Sequence, residues 1–99
     1  MAYRLTRKAA DDITRIVIEG AVQFGEAQAA HYHGLLENVF ELIAANPHLA
    51  RERQEISPPV RVYPVRSHLV IYVVDDRNDV LIIRVRHGHE DWKQNLSGE

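Results

Sequence analysis

Glu55, Arg61, Arg84 and His87 are of the residue types that could break an RNA phosphodiester bond. That reaction needs a base for the 2′-hydroxyl, an acid for the leaving oxygen and cations around the phosphate. The alternation of side chains along a strand works against such a set, because Arg84 and His87 are an odd number of positions apart and a regular strand points them to opposite faces. A bulge would be needed to bring them together. His87-Gly88-His89 would place two imidazoles on one side of an extended chain, with Asp91 as a third metal ligand. The intervening glycine and the lack of an obvious fourth ligand leave this short of a zinc motif, so neither a metal nor another cofactor is expected. His31 and His33 lie roughly 200° apart around a helix and cannot grip one ion; they read as surface residues. The sequence contains no glycine-rich phosphate loop and no Ser-His-Asp constellation that spacing would support.

Each of these residues also has a plainer reading. Arg84 and Arg86 share a face with Val80 and Ile82 in a regular strand, where they would form ion pairs with Asp or Glu and do nothing further. Arg61, in an edge strand, would deter strand-to-strand aggregation or meet a partner. Trp92, the only tryptophan, either folds back over an exposed core edge or anchors a partner, since a rigid aromatic buries much area at small entropic cost.

The elements that must position these side chains follow from periodicity. Ala2 to Leu5 is a short strand, after which Thr6 can cap a helix, a contact worth about 0.5 to 2 kcal/mol. Ala9, Ile13, Ile16, Val17, Ala21 and Phe24 form one helical stripe. Asp11 and Asp12 fall outside it, early enough to favour the positive end of the helix dipole, and Gly25 stops the helix. A second helix runs from about Glu26, with Ala29, Tyr32, Leu36, Val39, Phe40 and Ile43 on one face and Leu35 and Leu42 beside it. It ends at Asn46-Pro47, where proline forbids continuation. Such a wide stripe suits a helix that meets both a neighbour and a sheet, or that leaves a strip for a partner. The stretch from His48 to Pro59 reads as a loop. Val60–Arg66, Leu69–Val74 and Val80–Val85 read as an antiparallel meander, its first strand placed at an edge by Pro64. The expected fold is α+β, strand-helix-helix-strand-strand-strand, with a helical hairpin on one face of a small antiparallel sheet and the other face open.

Composition narrows the function. A chain of 99 residues, 45% hydrophobic, fits one domain over residues 1–99 with 93–99 as a loose tail. The absence of cysteine removes disulfides, thiolate chemistry and Cys-based zinc sites, and suits a reducing cytoplasm. No apolar run reaches signal-peptide or membrane-span length, so the expectation is a soluble cytoplasmic protein. The net charge of −2 opposes affinity built on many phosphate contacts. Arginines and histidines do collect in the second half, but Glu52, Glu55, Asp75, Asp76, Asp79, Glu90 and Asp91 nearly cancel them.

In order and spacing, the segments YRLTRKAADDITRI, FGEAQAAHYHGLLENVFELIAANP, ARERQEI, Arg61 with VRSHLVIYVV, and IIRVRHGHED resemble the ParE-type toxins of the RelE/ParE superfamily, from Tyr3 to about Trp92. Ala50 stands where the family often has glycine, and Pro58-Pro59 replaces a commonly seen glycine before Arg61. The resemblance implies a bacterial toxin that acts on DNA gyrase by binding, without catalysis, and that a ParD-like antitoxin silences in a hetero-oligomer. It implies no membrane, and no direct nucleic acid except through the antitoxin complex. Tyr32, Leu35, Leu42, Arg61 and Tyr63 are the expected antitoxin contacts, and His87, His89, Asp91 and Trp92 the gyrase-facing ones. The antitoxin segment is expected to be acidic and apolar, and to order on binding. Two alternatives stand beside this: a RelE-like ribosome-dependent mRNA endonuclease using Glu55, Arg61, Arg84 and His87, and a non-toxic member that binds antitoxin and serves only in autoregulation.

Overall fold

The computed structural model describes residues 3–88. Its elements run β1 (Tyr3–Leu5), α1 (Arg7–Phe24), α2 (Glu26–Ala45), β2 (Glu52–Arg53), β3 (Val60–Val65), β4 (His68–Val74) and β5 (Val80–His87). Ala2 and the stretch 93–99 fall outside the described residues. The Thr6 hydroxyl accepts from the Ala9 amide at 3.0 Å, so the expected cap is formed. Gly25, at φ 94°, divides the two helices with a backbone conformation that disfavours side chains.

The strands form one five-stranded sheet in the order β1-β5-β4-β3-β2. The meander is antiparallel as expected, but the sheet as a whole is mixed, because β1 pairs in parallel with β5 from Tyr3↔Val80 to Leu5↔Ile82. This covers what would otherwise be an edge of β5 and makes LVIYVV and VLIIRV interior strands, which explains their near-continuous hydrophobicity. The stretch read as loop contributes β2, which pairs with β3 at Val60 and Arg61. The start of β3 is therefore not the sheet edge. From Val62 to Val65 no described strand lies on that side, and there Pro64, without an N–H to donate, is tolerated.

Both helices lie on one face of the sheet. Phe40, Leu36 and Ile43 of α2 and Ala9, Ile13 and Ile16 of α1 bury against Val65, Val70, Tyr72, Val80, Ile82 and Val85. Full burial of each large apolar side chain contributes roughly 1.5–3 kcal/mol. Phe24, placed by its spacing in the α1 stripe, is instead 70% exposed at the last residue of the helix. The opposite face is not simply open. Ile56, from the segment after β2, closes over Val60, Val62 and Ile71, with Leu69, Val73 and Ile83 packed around them.

A bulge disturbs β4 against β5. Ile71 pairs with Arg84 while Tyr72 pairs with Ile82, leaving Ile83 as the extra residue. Side-chain parity shifts at this point, so Val85, rather than Arg84 or Arg86, continues the helix-side row begun by Val80 and Ile82. The expected shared face is broken for this reason. The bulge precedes Arg84, so pairing is regular from Arg84 to His87, and their opposed directions are retained.

Candidate functional site

Three groups of polar side chains tie helices and loops to the sheet, and together they determine which surfaces are fixed and which are free. The first centres on Asp12. This carboxylate, 1% exposed, accepts from Arg84 Nε at 2.8 Å and Nη2 at 3.0 Å, from the Val85 amide at 3.0 Å and from Arg15 at 2.9 Å. Arg86 Nη1 stands 3.8 Å away. Burial alone would raise the Asp12 pKa. The hydrogen bonds from Arg84, Val85 and Arg15, with the Arg84 charge, outweigh it and hold the carboxyl below its ordinary range. The expected helix-dipole role for Asp12 does not apply, since no acidic residue lies in the first turn of α1.

The second group anchors the chain after α2. Tyr72, fully buried, donates to the Pro47 carbonyl at 3.0 Å and accepts from the Ala50 amide at 3.3 Å. Burial pushes its hydroxyl pKa up, against the Ala50 hydrogen bond and the Arg61 charge. Arg61 donates to the Ala50 carbonyl at 2.6 Å. The arginine at the start of β3 therefore holds the loop at Ala50, one of the positions where the sequence departs from the family pattern.

The third group lies at the far end of β4 and β5. His68 pairs with His87 across the strands, their rings 5.4 Å apart and edge to face. The Tyr32 hydroxyl lies 2.7 Å from His68 Nδ1 and donates to the Val65 carbonyl at 3.1 Å. Burial raises the Tyr32 pKa, opposed by the Arg66 charge. These side chains form one wall of a cavity of about 440 Å³, and Ile16, Gly20, Phe24 and Ala29 supply apolar lining from the helices.

The four residues considered for phosphodiester chemistry are not gathered into one place. Glu55 faces Arg53 at 3.6 Å, Arg61 holds Ala50 and Arg84 holds Asp12. Arg61 pairs with Tyr72 of β4 and His87 with His68, four positions apart and hence about 13 Å along the strand. Among the described residues no group of three or more His, Cys, Asp or Glu could hold a metal. His89 and Asp91, the other residues of the considered metal set, lie outside the described residues, as does Trp92. His31 is exposed, and the half-buried His33 faces Glu37 at 3.7 Å.

The structure places the five expected partner-binding residues on α2 and β3. Tyr32, Leu35 and Tyr63 pack half-buried against the helix-side core, beside the stretch of β3 that no described strand covers. Arg61 lies further along β3, and Leu42, 42% exposed, stands on the last turns of α2. Sequence reasoning missed Asp12, His68 and Tyr72. The signals available were a carboxylate beside Ile13, an arginine inside the apolar run VLIIRV, and a tyrosine inside LVIYVV whose buried hydroxyl would need partners.

Comparison with known proteins places the fold and sequence together. A family profile described as the ParE toxin of the type II toxin–antitoxin system parDE matches residues 3–92. Toxin ParE1 of Caulobacter vibrioides is 35% identical over 85 residues, covering 86% of each chain. Toxin ParE1 of Mycobacterium tuberculosis is 32% identical over 74 residues, covering 75% of this chain and 76% of the relative. A chain solved in the chromosomal ParDE TA system from P. aeruginosa superposes with a TM-score of 0.75 at 20% identity, over 88% of this chain and 95% of that one.

Proposed function

Because the chain belongs to the ParE toxin family of type II toxin–antitoxin systems, we propose that it inhibits bacterial DNA gyrase by protein–protein binding and that a ParD-like antitoxin neutralises it. The observation that carries the antitoxin half is the stretch Val62–Val65 of β3, uncovered by any described strand and bordered by the half-buried Tyr32, Leu35 and Tyr63. An open strand edge beside an apolar row accepts a peptide that adds as a strand or lays a helix into the groove. Leu42, exposed near the end of α2, and Arg61, at the start of β3, are included in the proposed antitoxin surface. An acidic and apolar segment that orders on contact fits this surface, and a negative heat-capacity change on binding would accompany its burial.

His87, exposed at the end of β5, together with His89, Asp91 and Trp92, is assigned to the gyrase-facing side. Binding rather than catalysis is supported by the dispersal of Glu55, Arg61, Arg84 and His87, and by the engagement of Arg61 and Arg84 in holding the fold. No helix among the described residues is long and apolar enough to cross a membrane, and an action on gyrase would place the protein in the cytoplasm.

The test is a supercoiling assay with purified gyrase, adding the toxin alone and then with antitoxin, with a primer-extension cleavage assay on translated mRNA beside it. Supercoiling blocked by the toxin and restored by antitoxin supports the proposal. Untouched supercoiling with cut mRNA refutes it in favour of the endonuclease, and antitoxin binding without either effect refutes it in favour of the autoregulatory member.

A further inference from the structure

The cavity of about 440 Å³ opens between the helical hairpin and the far end of β4 and β5, room enough for a whole side chain of another molecule. Its apolar lining keeps that room. Gly20 lies in the interior of α1, where glycine destabilises a helix relative to alanine, yet a Cβ at this position would stand 3.7 Å from that of Ala29, an ordinary contact. Helix packing therefore does not demand the glycine. One wall is made of rings: Tyr32 and His68 are 5.5 Å apart between centroids, and His68 and His87 5.4 Å, while Phe24, 70% exposed, adds a ring from the end of α1. With the imidazoles neutral, Glu19 supplies the only formal charge among the described lining residues. It lies one position before Gly20, and Gly20 and Phe24 share a face of α1 at a spacing of four. Among the described residues Glu19 enters no ion pair and Phe24 no ring contact. With the one Tyr32 hydroxyl proton on the Val65 carbonyl at 3.1 Å, His68 Nδ1 is the donor in the 2.7 Å contact, and Nε2 is the acceptor of the neutral ring.

We propose that this cavity binds an arginine side chain of the target protein, with the guanidinium against the ring wall and paired with the Glu19 carboxylate, and the apolar stem against Gly20 and Ala29. This rests on the reading of the β5 end as target-facing, since His87 belongs both to that end and to the cavity. A guanidinium is planar, weakly hydrated and all donors, so it stacks on rings and forks onto a carboxylate, whereas an anionic group would be repelled by Glu19. The same charge disfavours the antitoxin segment, which is expected to be acidic. Arg66, which acts on Tyr32 from the turn, is outside the lining. Tyr32 borders both the cavity and the open stretch of β3 and does not separate the two surfaces; Glu19 and Phe24, on α1, do.

The test uses the purified full chain and three blocked amino acids: acetyl-arginine amide, acetyl-norleucine amide and acetyl-glutamate amide. Titration followed at the amide signals of Gly20, Ala29 and His68 is expected to show roughly millimolar binding of the arginine probe, with the other two about tenfold weaker or less. E19Q and F24A change exposed side chains and should leave Tm unaltered, while weakening the arginine probe by about 2–5-fold each and about tenfold together. In bacterial cells at matched soluble level, E19Q/F24A should need about tenfold more toxin to arrest growth, with antitoxin affinity within about twofold of the unsubstituted chain. Equal binding of all three probes, or arginine binding that E19Q/F24A leaves unaltered, overturns the proposal. So does unchanged arrest by the folded double variant, and loss of antitoxin affinity in place of arrest gives the cavity to the antitoxin instead. A chain that arrests nothing has no target for the cavity to meet, which overturns the proposal as well. Supercoiling by purified gyrase is measured in parallel. Arrest that depends on Glu19 and Phe24 without gyrase inhibition discards the gyrase reading and leaves the arginine site standing, whereas gyrase inhibition without selective probe binding does the reverse.

Discussion

The two sides of the sheet beside the helices are built on opposite plans. On the β5 side the backbone is secured three ways, by parallel pairing with β1, by the Thr6 hydroxyl and by Asp12 with its arginines. On the β3 side β2 covers only Val60 and Arg61, and the adjoining Tyr32, Leu35 and Tyr63 are half-buried. The difference lies in how the backbone is satisfied: on one side the strand is held beyond its paired stretch by side chains of Thr6 and Asp12, whereas on the other Val62–Val65 has no described strand beside it, and that is the surface proposed for the antitoxin. Open edges are ordinarily blunted against aggregation. Here Pro64 does part of that work.

The sharpest way to break the contrast is D12A. It takes the Asp12 carboxylate from Arg84, which is 9% exposed, and loss of one partner of a buried pair costs about 3–5 kcal/mol. A fall in Tm of more than about 10 °C is expected in a scanning calorimeter, given roughly 4–8 °C per kcal/mol for a domain of this size. The second effect in size is Y72F, which strips the Pro47 carbonyl and the Ala50 amide of their partner and should cost about 1–3 kcal/mol by urea unfolding. On the partner side, L42K alters a side chain already 42% exposed. Stability should move by less than about 0.5 kcal/mol, while antitoxin affinity measured by titration calorimetry falls by roughly tenfold or more.

Acid sharpens the contrast further. The Asp12 pKa is lowered in the folded protein, so the unfolded chain binds its proton first as pH falls. The stability this group contributes is fully present above the ordinary carboxylate value of 3.8, and is lost as pH falls through the depressed folded value. A stability profile by urea unfolding should therefore be flat with respect to this group at neutral pH and decline steeply below about pH 4. D12N should remove that part of the slope. Exposed Asp75, lowered by hydrogen bonds from the Asp79 and Arg77 amides, shifts in the same direction and should titrate in D12N as it does in the unsubstituted chain.

Strong periodic patterns and turn chemistry were legible in the residues themselves: the two helices, the Thr6 cap, the Gly25 break and the three meander strands. What was not legible depended on long-range pairing. β1 was legible as a short strand but not its parallel pairing with β5, and β2, of two residues, is too short for any period and is defined only by the strand it meets. The bulge at Ile83 arises from competition between neighbouring strands, so reading β5 as regular assigned Arg84 and Arg86 to the wrong row. Asp12 was read by its position on one helix because its partner Arg84 lies 72 residues later in the chain. Of the proposed contacts, Leu35, Leu42 and Tyr32 came from the excess width of the α2 stripe, and Arg61 from family resemblance. His89 and Asp91 rest on that resemblance alone, and Trp92 on it together with the anchoring capacity of a lone tryptophan.

The central claim is that one side of the molecule meets the antitoxin and the end of β5 meets gyrase. Its most direct test is supercoiling inhibition by purified toxin, measured for the unsubstituted chain, L42K and H87A, each with and without antitoxin. L42K should inhibit gyrase fully but resist rescue, and H87A should lose inhibition by about tenfold while still binding antitoxin as tightly as the unsubstituted chain. If L42K instead loses inhibition and H87A loses antitoxin binding, the two surfaces are not divided in this way and the account is wrong.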